Sequence, residues 1–252
     1  MISSPGNPAI KTLKKLKHRK YRRRMDQFLV DDADVFQEAV KAGFRPEQVY
    51  SCTALPFLEE FYPVDVKESL LAPISDMVSF SGFIAIFSAI VPDTEQEDDR
   101  VVVLDGVQDP ANVGAILRCA VQFGVTGAWL NDDCADPFSL RALRAAKGGT
   151  FNLQVLRLGK QELELKLEKP GRTVYAADTI GGESLETIAP SQPFALVMGS
   201  EGGGVSEELR EQADVRVTIP GAGAIESLNV AVAAGIILYQ FSSKLPATSS
   251  TD

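Results

Sequence analysis

The sequence predicts an α/β protein whose C-terminal half is built on a parallel sheet and whose N-terminal segment is a smaller α/β unit. Three observations carry this reading. From residue 101 onward, short apolar runs alternate with segments of helical periodicity, the pattern of a parallel sheet covered on both faces. The first of these runs, Val101-Val-Val-Leu104, has no polar alternation, as a strand buried on both faces requires. Polar, glycine-rich stretches then follow apolar runs, and loops at strand ends are where α/β folds build their sites.

The N-terminal segment reads as a helix over 8–24, a short strand over 28–30, and a helix over 35–42 that stops at Gly43, a good C-terminal cap. Strand-like runs follow at 49–52, 64–66 and 83–87. In the second segment the strand at 101–104 is followed by a helix over 113–123 closed by Gly124. Next come a strand at 127–131, a helix over 139–146, a strand at 151–156 and a charged helix over 161–167. Strands at 173–177 and 194–198, a helix over 206–212, a strand at 215–219 and a helix over 228–239 complete the pattern. The acidic stretch 92–99 is the expected linker, dividing the chain into 1–91 and 100–246, and the small polar residues 247–252 are expected to be a disordered tail.

Composition excludes several classes. The longest apolar-rich stretch, residues 230–241, is broken by Gly235 and Gln240 and reads as a buried helix, so no membrane span is expected. The basic N-terminus lacks the apolar core of a secretory signal. Three widely separated cysteines, Cys52, Cys119 and Cys134, suit a reduced, cytoplasmic chain and show no metal-ligand spacing. The net charge of −9 hides an asymmetry. Residues 1–24 hold nine of the 25 basic residues and no acid, which leaves 16 basic against 34 acidic residues in the rest. Such an arm is either a phosphate-contacting device or a solvated helix face, and composition weighs the two equally.

Three motifs carry the chemistry. The first is Asn112-Val-Gly-Ala-Ile-Leu-Arg118, in which Asn112 can cap a helix and Gly114 costs about 1 kcal/mol against Ala unless something approaches its backbone closely. Taken alone it reads better as a capped helix whose Arg pairs with an acidic neighbour. The second is Gly199-Ser-Glu-Gly202 within a run of glycines after the strand at 194–198. It is neither a P-loop nor a dinucleotide fingerprint, and Glu201 is its one ionisable side chain. The third runs from Ile219-Pro220 to Ser227-Leu228-Asn229 and enters an apolar helix that Ser227 or Asn229 could cap. The single histidine, His18, lies in the basic arm, so imidazole acid–base work in these loops is not expected. Cys119 reads as a packed thiol, which disfavours cysteine-adduct base methylation.

In this order the motifs resemble those of the SpoU (TrmH-like) branch of the SPOUT methyltransferases, and the resemblance covers essentially the whole chain. Supporting stretches are Ala135-Asp-Pro-Phe-Ser139, Arg144-Ala-Ala-Lys-Gly148 and Tyr175-Ala-Ala-Asp178. In the N-terminal segment, Ile2-Ser-Ser4, Asn7-Pro8, Phe28-Leu-Val30 and Ser81-Gly-Phe-Ile-Ala85 are similar to a substrate-binding domain shared with some ribosomal proteins. The resemblance implies a deep trefoil knot in the C-terminal sheet, S-adenosylmethionine as cofactor, a homodimer packed through the knotted domain, and 2′-O-methylation of a ribose in RNA. Ribosomal RNA is the favoured substrate, because tRNA-specific relatives usually lack the N-terminal domain.

Carried over by motif, Gly199, Ile219 and Leu228 would hold the adenine and ribose of the cofactor, with Met198, Gly202 and Ala177 beside them. Arg118 would face the target ribose, Asn112 and Glu201 would orient it, and Ser227 and Asn229 would order the site near the methyl donor. The family proposal makes Arg118 a general base. Because a guanidinium is effectively always protonated, stabilising an alkoxide or gripping a phosphate is an equal alternative. Lys11, Lys14, Lys15, Arg19, Arg22, Arg23 and Arg24 are the expected RNA contacts. Departures from the family are Asp31-Asp32, where members often carry Glu-Gly, and Ala146 and Ala231, where Ser is common. Asp accommodates positive φ less well than Gly. The competing readings are a tRNA ribose methyltransferase, a catalytically silent RNA-binding or ribosome-assembly factor, and a dinucleotide-dependent oxidoreductase. The last is disfavoured because Gly106 and Gly114 do not form the required turn.

Overall fold

A computed structural model describes residues 1–89, 99–168, 170–179, 181–222 and 227–244. The expected linker, apart from Asp99, and the expected tail lie outside the described residues.

Helix α1 (Pro8–Leu16) starts with Pro at its first position, and the Asn7 side chain accepts from the Ala9 amide at 2.9 Å. Its buried residues, Ile10, Leu13 and Leu16, recur at one-turn spacing. The single helix expected over 8–24 is instead two, because His18 is extended and α2 (Arg19–Met25) starts afresh. The break frees the carbonyls of Leu16 and Lys17, and the Arg22 guanidinium donates to both, at 2.8 and 2.7 Å. Strand β1 (Gln27–Val30) leads to α3 (Ala33–Lys41), which is capped by Asp32 accepting from the Val35 amide at 3.0 Å. Asp32 has φ −120°, so the loop after β1 needs no left-handed residue there and accommodates the Asp-Asp pair without strain. Gly43 follows α3 at φ +89°, as expected of a terminating glycine. Strand β2 (Pro46–Ser51), a 3₁₀ turn over Pro56–Phe61, β3 (Val64–Asp65), α4 (Glu68–Leu71) and β4 (Phe83–Ser88) complete a mixed sheet ordered β1-β4-β2-β3. The short α4 and the 3₁₀ turn carry too few periodic residues to be read from sequence.

The second sheet contains β5 (Arg100–Leu104), β6 (Gly127–Asn131), β7 (Gln154–Leu158), β8 (Thr173–Ala177), β9 (Glu183–Ser184), β10 (Phe194–Met198) and β11 (Val215–Thr218), in the order β7-β6-β5-β10-β8-β11-β9. Every pairing in it is parallel. Connecting helices are α5 (Pro110–Gln122), α6 (Leu140–Ala146), α7 (Lys160–Leu167) and α8 (Glu207–Glu211), and α9 (Val230–Lys244) follows β11. Both faces are covered, as the apolar run at 101–104 predicts: Val102 and Leu104 enter one cluster, Val101 and Val103 the other. The strand expected from 151 begins at Gln154, because a 3₁₀ turn over Gly149–Asn152 precedes it. Phe151 belongs to that turn and packs on Phe44 and Phe28, at ring separations of 5.2 and 5.9 Å.

Each sheet is confined to one segment of the chain, but one hydrophobic cluster spans both. Phe28 and Phe87 share it with Val102, Ile116 and Phe138, and the rings of Phe28 and Phe138 lie 5.1 Å apart. Polar ties reinforce the junction. Asp31, 1% exposed, accepts from Arg144 at 2.8 Å and from Ser75 at 2.6 Å.

Helices α5 and α6 cross at Gly114. A Cβ placed there would lie 2.2 Å from the Ala142 carbonyl oxygen, 2.7 Å from Ala145 Cβ and 2.9 Å from the amide of fully buried Ala146. This is the close approach that a glycine inside a helix implies. Gly114→Ala is therefore expected to destabilise the fold by about 2 kcal/mol, because overpacking typically costs about 1–3 kcal/mol or more and outweighs the gain of about 1 kcal/mol in helix propensity. Urea unfolding followed by circular dichroism measures this, and a variant as stable as wild type would contradict it.

Candidate active site

The order of the large sheet reverses direction between β5 and β10. The chain steps from β5 through β6 to β7 on one side, then builds β10, β8 and β11 on the other. Ligand crevices of open α/β sheets form outside the carboxyl ends of strands at such a point. Here the loop after β5 meets the glycine-rich loop after β10. Asp105, buried at the end of β5, ties them. Its carboxylate accepts from Asn131 Nδ2 at 2.6 Å and from the Ser206 amide at 2.7 Å, while its own amide donates to the Met198 carbonyl at 2.9 Å. Asn131 in turn accepts from the Gly106 amide at 3.0 Å. Sequence reasoning missed Asp105 as a positioning residue, although an acid directly after a fully apolar strand is a usable signal.

The loop after β10 folds back on itself. Ser200 and Gly204 exchange two backbone hydrogen bonds of 2.9 Å. A Cβ on Gly199 would fall 1.9 Å from the Gly204 carbonyl carbon, so only glycine fits there. Gly204 has φ +66°, the left-handed region. At Gly202 and Gly221 a Cβ would meet nothing within 4 Å, so these backbone stretches are open to a ligand.

Three side chains from the three motifs converge. Asp109 takes the cap of α5, accepting from the Ala111 amide at 2.8 Å with Pro110 following it. Asn112 is therefore inside the first turn and not the cap as the sequence suggests, and its amide is free for other work. Asn112 Nδ2 donates to Glu201 Oε1, and Asn112 Oδ1 accepts from Asn229 Nδ2 at 3.1 Å. Asn229 Nδ2 also lies 3.5 Å from Glu201 Oε1. Asn229 Oδ1 accepts from the amides of Ala231 and Val232 at 3.0 and 3.3 Å, so Asn229 both caps α9 and joins the site. All three lie at least partly open to solvent.

The other expected residues are placed differently. Ser227 is exposed and bonded to none of these three side chains among the described residues. Arg118 lies six positions beyond Asn112, about 120° around the helix from it, and is not joined to the cluster. Its guanidinium is exposed and has no acidic partner among the described residues, unlike the simple paired arginine that the motif alone suggests. What fixes Arg118 is its backbone: a Cβ on Gly149 would touch Arg118 Cα and N at 3.0 Å, so the 3₁₀ turn packs flush against α5 there. Met198, Ala177 and Ile219 stand at the carboxyl ends of β10, β8 and β11, which are adjacent in the sheet. Leu228 is 42% exposed, large for an apolar side chain.

Neither cysteine near the sheet is an activated nucleophile. Burial pushes the Cys119 thiol up, with Arg118 opposing. Cys119 is only half-buried, at a shallow apolar groove, and not inside the core. Burial pushes Cys134 up to about 11. Its Sγ lies 3.1 Å from the Leu104 carbonyl. Among the described residues no group of acids, histidines and cysteines could hold a metal ion.

The basic arm is divided. Lys11, Lys14 and Lys15 on α1, and Arg24 on α2, are exposed. Arg22 is not a surface contact: it is 6% exposed and paired with buried Asp136 at 2.7 Å. A solvated RNA-binding role for it is therefore corrected, for the helix break turns it inward to the junction. Arg19 donates to the carbonyls of Cys134 and Asp132 at 2.9 and 2.7 Å, and Arg23 pairs with Asp132 at 2.7 Å.

Comparison with known proteins identifies the family of the chain. The SpoU rRNA methylase family matches residues 99–239, and the MRM3-like substrate binding domain matches residues 7–85. The chain is 31% identical over 246 residues to the 23S rRNA (guanosine(2553)-2′-O)-methyltransferase RlmP of Bacillus subtilis, covering 94% of this chain and 97% of that protein. The structure of AdoMet-bound rRNA methyltransferase from Sinorhizobium meliloti superposes with a TM-score of 0.85 at 28% identity, covering 98% of both chains. The TrmH/SpoU tRNA modifying enzyme of A. aeolicus superposes with a TM-score of 0.51 at 28% identity, over 60% of this chain and 77% of that one. With its three motifs gathered at the carboxyl edge of a parallel sheet, the chain belongs to the SpoU rRNA methylase family.

Proposed function

We propose that this protein methylates a ribose 2′-hydroxyl in ribosomal RNA, using S-adenosylmethionine. The observation that carries the reading is the convergence of Asn112, Glu201 and Asn229 beside the open glycine loop. The residues present fit the cofactor. The ends of three adjacent strands bring Ala177, Met198 and Ile219 side by side, and Gly202 and Gly221 leave backbone uncovered, a setting suited to a flat adenine and a ribose. Backbone groups of Gly199, Ile219 and Leu228 would hold them. When bound, S-adenosylmethionine supplies an electrophilic methyl group on a sulfonium.

The chain's own residues handle the nucleophile. Glu201 Oε1 is occupied by the Asn112 and Asn229 amides, which holds the carboxylate in one orientation and leaves Oε2 to accept first the hydrogen bond and then the proton of the target 2′-hydroxyl. Arg118 stabilises the oxygen as it gains negative charge, or grips the neighbouring phosphate. Positioning supplies most of the acceleration, since in-line approach is the demanding element of the reaction.

A deep trefoil knot at the β10 and β11 loops and a homodimer complete the proposal. The dimer reading is supported by an apolar face on α5 and α9, where Ala115 and Cys119 line a groove with Val232, Ile236 and Tyr239, which are 51%, 38% and 60% exposed. Such a face beside Arg118 suits a second copy. A cytoplasmic setting fits three free cysteines. Ribosomal RNA is preferred to tRNA because residues 7–85 match a substrate-binding domain and the tRNA-modifying relative superposes on only 60% of the chain.

The test is transfer of radiolabelled methyl to separated, unmodified ribosomal and transfer RNA. Label in ribosomal RNA at one alkali-resistant phosphodiester is the expected result. Label in transfer RNA alone would overturn the substrate, and no label in either would overturn the activity.

A further inference from the structure

A second polar cleft, of about 350 Å³, lies where α2 meets the large sheet. Arg22, Arg23 and Arg157 line it with Asp26 and Asp132, above the apolar side chains of Phe138 and Val155. Arg19 and Asp136 pair with the lining residues Asp132 and Arg22, at 3.7 and 2.7 Å. Four guanidiniums thus face three carboxylates, an excess of positive charge within a protein that is strongly acidic overall. The internal pairing is also incomplete. Arg157 Nη1 is buried and reaches within 3.2 Å of Asp136 Oδ1, but it makes no aligned hydrogen bond. Asp136 is already engaged by Arg22 at 2.7 Å and by the Phe138 amide at 3.1 Å. Burial pushes the Arg157 guanidinium below the usual arginine value; Asp136 opposes this, while Arg23, Arg19 and Arg22 add to it. An anion in the cleft would relieve that repulsion.

The cleft's position matters as much as its charge. Arg157 pairs in register with Leu130 near the carboxyl end of β7, and Asp132 follows the end of β6. In a parallel sheet these ends lie on the same edge as the Asn112–Glu201–Asn229 cluster. The β6 and β7 ends are separated from the β10 loop by two and three inter-strand spacings, about 10 and 14 Å. A polynucleotide backbone reaching from the basic face of α1 and α2 to the cluster would run along this edge.

We propose that this cleft binds a backbone phosphate of the substrate RNA, with Arg157 and Arg23 as its ligands and the Arg22–Asp136 pair as its rigid floor. The proposal rests on the RNA-methylating reading above and adds a subsite to it. Arg157 is the residue that neither the basic arm nor the motifs point to.

The experiment compares wild type, Arg23→Gln and Arg157→Gln for binding of in vitro transcribed ribosomal RNA across a salt series, with methyl transfer against RNA concentration measured in parallel. Each substitution is expected to raise Kd about fivefold and to lower the slope of log K against log salt by about one, the signature of one lost phosphate contact. S-adenosylmethionine affinity stays at the wild-type level, and the loss in transfer falls on KM for RNA. Arg157→Lys, which keeps the charge, recovers part of the affinity and the wild-type salt slope, while thermal melting of each variant reads any folding defect separately. Arg23 is more exposed, so Arg23→Gln keeps the test valid if Arg157→Gln unfolds. Wild-type Kd and slope in Arg23→Gln, with wild type methylating normally, would overturn the cleft alone. If inorganic phosphate raises the Tm of wild type only, while RNA affinity is equal in all variants, the site belongs to a free anion and the RNA proposal fails. Wild type that binds no RNA would overturn both readings.

Discussion

Arg118→Ala is expected to lower methyl transfer by about two to three orders of magnitude, the usual loss when one preorganised donor to a developing oxyanion is removed. S-adenosylmethionine affinity should stay within about twofold, because the residues proposed to hold the cofactor stand at the β8, β10 and β11 ends and Arg118 lies on α5. Stability should change little, since the guanidinium is exposed and has no acidic partner among the described residues. Isothermal titration with the cofactor, single-turnover transfer and thermal melting separate the three quantities. Transfer at the wild-type rate would remove Arg118 from the mechanism whether it acts on the oxygen or on a phosphate. A parallel loss of cofactor binding would instead make it part of the cofactor site.

Asp136→Ala is expected to cost about 3–5 kcal/mol of stability, the range for removing one partner of a buried ion pair. Asp136 is 5% exposed and is the acid on which Arg22 and Arg157 both depend. Its removal leaves two cations facing one another in a largely dry junction. Because that junction carries α2 onto the large sheet, the N-terminal elements should loosen first. Hydrogen exchange of α2 and β1 amides, together with the unfolding midpoint, measures this, and a loss below about 1 kcal/mol would show that water reaches the pair. High salt should not mimic the substitution, since buried pairs are screened much less than exposed ones.

Much of the fold was legible in the residue order because its causes are local. The strands at 127–131, 173–177 and 194–198 lie where their apolar runs place them. Gly43 ends α3 because a left-handed position suits glycine, and Gly114 marks a helix crossing because no side chain fits there. The candidate site was legible for the same kind of reason. Asn112, Glu201 and Asn229 each stand at a loop or helix start beside a strand end, and parallel strands bring such ends to one edge.

What could not be read depended on partners distant in sequence. Residues 8–24 have the composition of one continuous basic helix, yet Arg22 folds inward because Asp136, 114 positions later, offers a buried carboxylate. Asn112 loses the cap to Asp109, since a Pro at the first helical position sets the start one turn earlier. Phe151 leaves its strand for an aromatic cluster built with Phe28 and Phe44 from the other segment. Periodicity, glycine and motif order thus point to the class of fold, the family and the three polar residues of the candidate site, because each is a property of neighbours along the chain. Which arginines remain free for RNA, and that a basic cleft opens beside β7, are decided only when the two sheets close on a common core, because charge pairing across that junction is a property of neighbours in space.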